Sequence, residues 1–213
     1  MAQIQKKEPY HLQAYELIKQ QILSGKLVCG DIVNEFTLSQ ELGISRSPIR
    51  EAVRMLESDG LIVTRRGTHL VNPLDEQTLN DVYECRIGLE SYAARLASRH
   101  FTKQDYDTLL GFVEKCRKAN PDVDMQLLID ESANFHNYIV SLSQNSYLIE
   151  LTQRISNLVM LSRIKELRCY SRDLSYAYED HTHIAEVLLN GTEDEVEQAM
   201  REHLRNNRNS LMP

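Results

Sequence analysis

The chain has 213 residues, 26% of them charged, a formal net charge of −7, and four cysteines, Cys29, Cys85, Cys116 and Cys169, without paired spacing. That length suits one large or two ordinary domains with a real core, and the scattered cysteines argue against a disulfide framework or a zinc ribbon and for a reducing compartment. No apolar run has the length of a membrane span, and the opening run from Met1 to Lys7 has no hydrophobic stretch of the signal-peptide kind, so a cytoplasmic location is expected.

The first informative element is a helix predicted to begin at Thr37, where Thr37 and Gln40 have capping-box spacing, and to stop at Gly43. A second helix is expected from about Ser47, a good N-cap, with Pro48 in the first turn, to about Ser58. Ile49, Val53 and Leu56, widened by Ala52, form its buried stripe, and the other side carries Arg46, Ser47, Arg50 and Arg54. Arginines and small hydroxyls at the start of a helix suit a DNA major groove, because the guanidinium fork matches guanine O6/N7 or a phosphate. An amphipathic helix with a solvated basic face would explain this segment equally well. The residues after the helix favour DNA. Leu61–Thr64 and His69–Val71 are β-prone runs around Arg65-Arg66-Gly67-Thr68, a hairpin tip whose arginines can reach phosphates or a minor groove.

A domain boundary is expected at Val71-Asn72-Pro73-Leu74, giving residues 1–72 and 73–213. The first part holds nine Lys/Arg against eight Asp/Glu and the second 15 against 23, so the acidity belongs behind the boundary. That leaves a basic face of the first part to meet phosphates.

After the boundary the pattern is helical. Helices are predicted over about 75–100, 102–117, 124–143, 147–167, 173–189 and 193–206, with breaks at Asn120-Pro121, Gln144-Asn145-Ser146 and Asn190-Gly191. The last opens on a capping box, Thr192 to Glu195. The fold class is therefore mainly α, a winged helix-turn-helix followed by an antiparallel bundle of about six helices. In the first bundle helix, Arg86 and Glu90 share the apolar sector with Leu79, Val82, Tyr83, Leu89, Ala93 and Ala97. Either they bridge each other at i, i+4 or Arg86 holds an anion. Helical phase also turns His136, His181 and His203 inward from three different helices, while His183 faces solvent. A lone inward histidine is usually a hydrogen-bonded core residue; three converging imidazoles are the usual way to hold a divalent transition metal in a bundle.

Leu42-Gly-Ile-Ser-Arg-Ser-Pro-Ile-Arg-Glu-Ala-Val53 with Leu56-Glu-Ser-Asp-Gly-Leu61 resembles the GntR family of bacterial transcription regulators over about Tyr10 to Val71. The resemblance implies that Ser45, Arg46, Ser47 and Arg50 contact DNA from the recognition helix and Arg66 and Gly67 from the wing. Phe36 departs from it, since many relatives carry there an arginine that touches the operator backbone. Asp75 to His203 resembles the FCD ligand-binding domain of the FadR-type branch, through Arg86-Ile-Gly-Leu-Glu90, Phe135-His136 with Asn145, Asp180-His181 with Ile184, and His203-Leu204. Many such relatives bind zinc, nickel or manganese through one aspartate and three histidines, which implies His136, His181 and His203 as ligands. The aspartate position is Ser132 here. Asp130 is rotated by about 200° to the opposite face, whereas Glu131 is partly turned inward.

The expected function is a ligand-responsive regulator of a metabolic operon, in the sense of a repressor, binding a near-palindromic double-stranded operator as a homodimer. A small organic acid would complete the three-histidine metal site and pair with Arg86. Two alternatives belong to other classes: a metal-dependent hydrolase using the three histidines, and a protein-interaction module.

Overall fold

A computed structural model describes residues 8–120, 124–169 and 175–211, without the side chains of residues 125, 166–169, 175–177 and 211. The opening run Met1 to Lys7, Pro121 of the predicted break, Asp173, and the side chains of Ala177 and Cys169 lie outside the described residues. Contacts divide the chain into two units, Met1–Pro73 and Leu74–Pro213.

The first unit begins with a helix that the sequence motifs do not include, α1 (Tyr10–Leu23). Ala14, Ile18 and Ile22 recur every four residues, are buried, and pack against the third helix. The second, α2 (Glu35–Leu42), starts two residues earlier than predicted. Asn34 is extended and its side chain accepts from the backbone N–H of Phe36 at 2.9 Å and of Thr37 at 3.1 Å, so the Thr37 capping box is not the start signal. The helix ends at Gly43, which sits at φ 65° where a side chain would strain the backbone. The third, α3 (Arg46–Ser58), is also entered earlier than expected, from Ser45 rather than Ser47, with no side-chain cap. Pro48 still falls in the first turn, where no intrahelical donor is lost. Ile49, Ala52, Val53 and Leu56 are buried as the stripe predicted.

Strands β1 (Ile62–Arg65) and β2 (Thr68–Val71) pair antiparallel with Arg65 opposite Thr68. The turn is thus the two residues Arg66 and Gly67, at φ 51° and 78°. Two left-handed residues are what a tight hairpin turn of matching twist needs. The chain before α2 runs along β2, with Val71 N donating to Asp31 O and Val33 N to His69 O, both at 2.9 Å, so the wing is braced on its inner side.

The second unit comprises, among the described residues, six helices: α4 (Glu76–Ser98), α5 (Lys103–Lys118), α6 (Met125–Leu142), α7 (Ser146–Cys169), α8 (Ser175–Asn190) and α9 (Glu193–Leu211). Their ends agree with the sequence periodicity to within a few residues, and the Thr192–Glu195 capping box forms, Thr192 N donating to Glu195 Oε2 at 2.7 Å. A second box, Thr102 with Asp105, starts α5. Helix α4 is central, touching α6, α7, α8 and above all α9, while α5 packs on α6 and α8. Phe135, Ile139, Ile184, Leu188, Met200 and Leu204 are buried in one core with Leu109 and Val113. At roughly 1.5 to 3 kcal/mol for each large side chain removed from water, this core holds α5, α6, α8 and α9 in register around whatever polar groups they carry inward.

Candidate functional site

Two groups of residues carry chemistry, one on each unit. On the first, Ser45, Arg46, Ser47 and Arg50 lie exposed along the start of α3, opposite the buried stripe, and Arg66 and Gly67 are exposed at the hairpin tip. The unpredicted member is Glu35. From the first turn of α2 its carboxylate meets Arg46 at 3.6 Å, Arg50 at 3.5 Å and His69 of β2 at 3.7 Å. His69 also meets Glu57 of α3 at 3.2 Å, and Thr64 donates to the same Glu57 carboxylate. Helix α3 and the wing are therefore fastened by side chains as well as by packing. Nothing in the spacing of Glu35 would have announced this, because its partners are 11, 15 and 34 positions away. The arginine heads are half-exposed although Glu35 is mostly covered, and at 3.5 to 3.6 Å these contacts are loose, so a phosphate can compete with Glu35 for the arginines.

In the second unit the helical phase of three histidines becomes a cluster. His136 on α6, His181 on α8 and His203 on α9 are all buried, and one ring nitrogen from each lies within 4.8 Å of the others. His136 Nε2 and His181 Nε2 are 3.2 Å apart, and Phe135 stacks on the His181 ring at 4.2 Å between centroids. Burial pushes all three histidines below their ordinary range, His136 to about 3. For His136 the neighbouring Glu90 opposes that effect and Arg86 adds to it. Neutral rings with free lone pairs are what a metal requires.

Arg86 is both half of a bridge and part of a cavity wall. Arg86 Nε donates to Glu90 Oε1 at 2.7 Å, and Glu90 Oε2 lies 2.7 Å from His136 Nδ1, outside hydrogen-bond alignment. Burial pushes the Glu90 carboxyl up, but Arg86 and His136 together outweigh it and hold the group below the usual range. Arg86 Nη1 and Thr152 Oγ1 have no partner among the described residues. Both residues line a cavity of about 70 Å³ with Glu90, His136, Asn137 and Arg163, closed by Ala133, Ile155, Val159 and Met160. A buried guanidinium donor without an acceptor costs free energy until an anion reaches it.

A fourth protein ligand is not supplied where sequence reasoning looked for one. Glu131 is buried, but it faces Lys115 of α5 at 3.1 Å. Ser132 accepts from Arg163 Nη1 at 2.8 Å, which sets a guanidinium beside the position. Three neutral nitrogen donors fit a divalent transition metal, with less charge in the shell than a carboxylate would give. No helix among the described residues is long and apolar enough to cross a membrane.

Comparison with known proteins gives both units a lineage. Residues 11–69 match the bacterial regulatory proteins of the gntR family, and residues 81–206 match the FCD domain. The Nta operon transcriptional regulator of Aminobacter aminovorans is 34% identical over 168 residues, 78% of this chain and 77% of that protein. The probable D-xylose utilization operon transcriptional repressor of Paenarthrobacter nicotinovorans is 29% identical, over 90% of this chain and 84% of its own. Among solved structures, E. coli McbR/YncC superposes with a TM-score of 0.79 at 23% identity, covering 96% and 98% of the two chains, a likeness of fold.

Proposed function

The chain belongs to the gntR family of bacterial regulatory proteins, carries an FCD domain, and is a transcriptional regulator; from that premise we propose that it represses a metabolic operon until a small organic acid enters the bundle. The observation that carries the reading is the conjunction of an arginine-bearing helix and hairpin in one unit with a buried, unpartnered guanidinium nitrogen beside three neutral histidines in the other. In this reading Ser45, Arg46, Ser47 and Arg50 meet one major groove, and Arg66 and Gly67 meet the neighbouring backbone. The protein acts in the cytoplasm as a homodimer, so that two heads read two half-sites of a near-palindromic operator. Residues 1–72 form the reading domain and 73–213 the sensing and dimerising domain.

Arg86 and Thr152 hold a carboxylate of the effector, and the apolar wall of Ile155, Val159 and Met160 selects its body. His136, His181 and His203 would hold a divalent transition metal, zinc, nickel or manganese, which supplies a Lewis-acidic centre for an effector oxygen. Effector binding must differ in affinity between the DNA-bound and free states, since otherwise no equilibrium moves. The family is one of regulators, and it lends no support to a hydrolase built on the three histidines. Selection of duplexes from a random pool, followed by titration of wild type, Arg50→Ala and His181→Ala, tests the assignment. Arg50→Ala is expected to lose DNA affinity, and His181→Ala to keep it while losing the effector response. The reverse pattern would show that reading and sensing have been assigned to the wrong units.

A further inference from the structure

Among the described residues the histidine cluster has no carboxylate of its own, yet two carboxylates stand directly behind it. Glu90 reaches from α4 to the Nδ1 edge of His136 at 2.7 Å, and Asp180 reaches from α8 to Nδ1 of His203 at 3.1 Å. A carboxylate only accepts, and a neutral imidazole carries one N–H and one lone pair. A carboxylate against Nδ1 therefore draws the proton to that nitrogen and leaves the lone pair on Nε2, through a hydrogen bond at His203 and through charge at close range at His136, where the two atoms are not aligned.

The partner of His203 Nε2 agrees, and that of His136 Nε2 is compatible. Asn207 presents its Nδ2 amide to His203 Nε2 at 3.1 Å, and His181 Nε2 meets His136 Nε2 at 3.2 Å. An amide nitrogen can only donate, so His203 Nε2 accepts. If His136 Nε2 also accepts, His181 is the ring that donates across the 3.2 Å contact.

We propose that Glu90 and Asp180 are the positioning residues of the cluster: they preset His136 and His203 as Nδ1–H rings whose Nε2 lone pairs pass to a cation when His181 and Asn207 give them up, and leave His181 as the one ring that must change tautomer to join. The inference rests on reading the cluster as a metal site and adds the two groups that supply its negative charge at second hand. Carboxylates behind ligand imidazoles fix ring orientation and raise the basicity of the coordinating nitrogen. Asp180 has a half-exposed carboxylate, so removing it leaves no buried charge behind. Glu90 is buried and also holds Arg86, so its removal does.

The test uses the full chain in two measurements. In metal-free protein with ¹⁵N-labelled imidazoles, His136 and His203 are expected as Nδ1–H tautomers and His181 as Nε2–H. Titration with cobalt(II), followed by its absorption, is expected to be about 10- to 100-fold weaker in Asp180→Asn and in Glu90→Gln than in wild type. Glu90→Asp should restore the His136 tautomer in part, and Asp180→Asn should shift the tautomer of His203 alone. Should Glu90→Gln fail to fold, Asp180→Asn and the wild-type tautomers decide. The proposal is overturned if either preset ring carries its proton on Nε2 in wild type, or if Asp180→Asn binds cobalt as tightly as wild type with His203 unchanged. A wild-type chain that takes up no cobalt would overturn the metal reading itself, and the tautomers would then judge the positioning alone.

Discussion

The two units handle charge in opposite ways. On the first, Arg46 and Arg50 keep 57% and 53% of their side-chain surface in water and share one carboxylate, Glu35, at 3.5 to 3.6 Å. In the second, Arg86 and Glu90 keep 1% and 6% and touch at 2.7 Å. Exposed charges cost little to release, so they suit a surface that must exchange one partner for another. Buried ones are held by their surroundings, and a defect beside them, such as the unpartnered Arg86 Nη1, is felt as a demand for a ligand.

If that contrast is right, the largest effect of any single substitution should come from splitting the buried pair. Arg86→Leu is expected to destabilise the second unit by about 3 to 5 kcal/mol, because Glu90 stays behind as a poorly compensated charge. Urea unfolding followed by helical circular dichroism measures it, and a loss below about 1 kcal/mol would mean the interior is wetter than its burial indicates. Acid should produce the next effect, in the same unit. His136 has a folded pKa of about 3, below the value of about 6.5 in the unfolded chain. As pH falls through about 6.5 the unfolded chain takes up a proton that the folded one refuses, so stability present above that pH is lost on the way down. For His136 alone the loss between about pH 6.5 and 5 is about 2 kcal/mol. His181 and His203, also depressed, act in the same sense, and Glu90 adds to the loss below its ordinary range. Amide exchange in α6, α8 and α9 at the two pH values reads this directly, and a flat profile would show the rings are charged when folded.

Smaller effects belong to the first unit. Arg50→Ala is expected to weaken binding of a selected duplex by roughly 1 to 3 kcal/mol without lowering stability comparably. Fluorescence anisotropy beside a melting curve separates the two. Asn34→Ala removes the acceptor for two backbone donors at the start of α2 and should cost about 1 kcal/mol of stability. Thr37→Ala should cost less, since its side chain caps nothing at that helix start, and an equal loss in thermal melts would restore the capping box that the structure sets aside.

How much of this can be read from residues alone depends on whether the information is local. Helical phase places His136, His181, His203, Arg86 and Glu90 inward, because a period of about 3.6 and a stripe of aliphatic neighbours decide a side chain's direction without knowledge of its partner. The same logic places Arg46, Ser47 and Arg50 outward. Local signals fail where two capping residues compete: the Thr37–Gln40 spacing and the place of Pro48 favour Thr37 and Ser47, yet the helices start from Asn34 and Ser45, which are equally good or better caps by residue type. Helix α1 escapes a reading centred on motifs, although Ala14, Ile18 and Ile22 announce it. Partners remote in the chain are out of reach. Glu35 with Arg50 and His69, Asp180 with His203, Glu131 with Lys115 and Ser132 with Arg163 are facts of packing, and no spacing encodes them.

The most direct test of DNA reading by the first unit is the affinity of the intact chain for its best duplex as ionic strength rises. Duplexes are first selected from a random pool, and binding is then followed between about 50 and 200 mM salt. The account predicts a preferred, near-palindromic sequence whose affinity falls by orders of magnitude across that range. Failure to retain any duplex at the lowest salt, or affinity that ignores salt altogether, would contradict it.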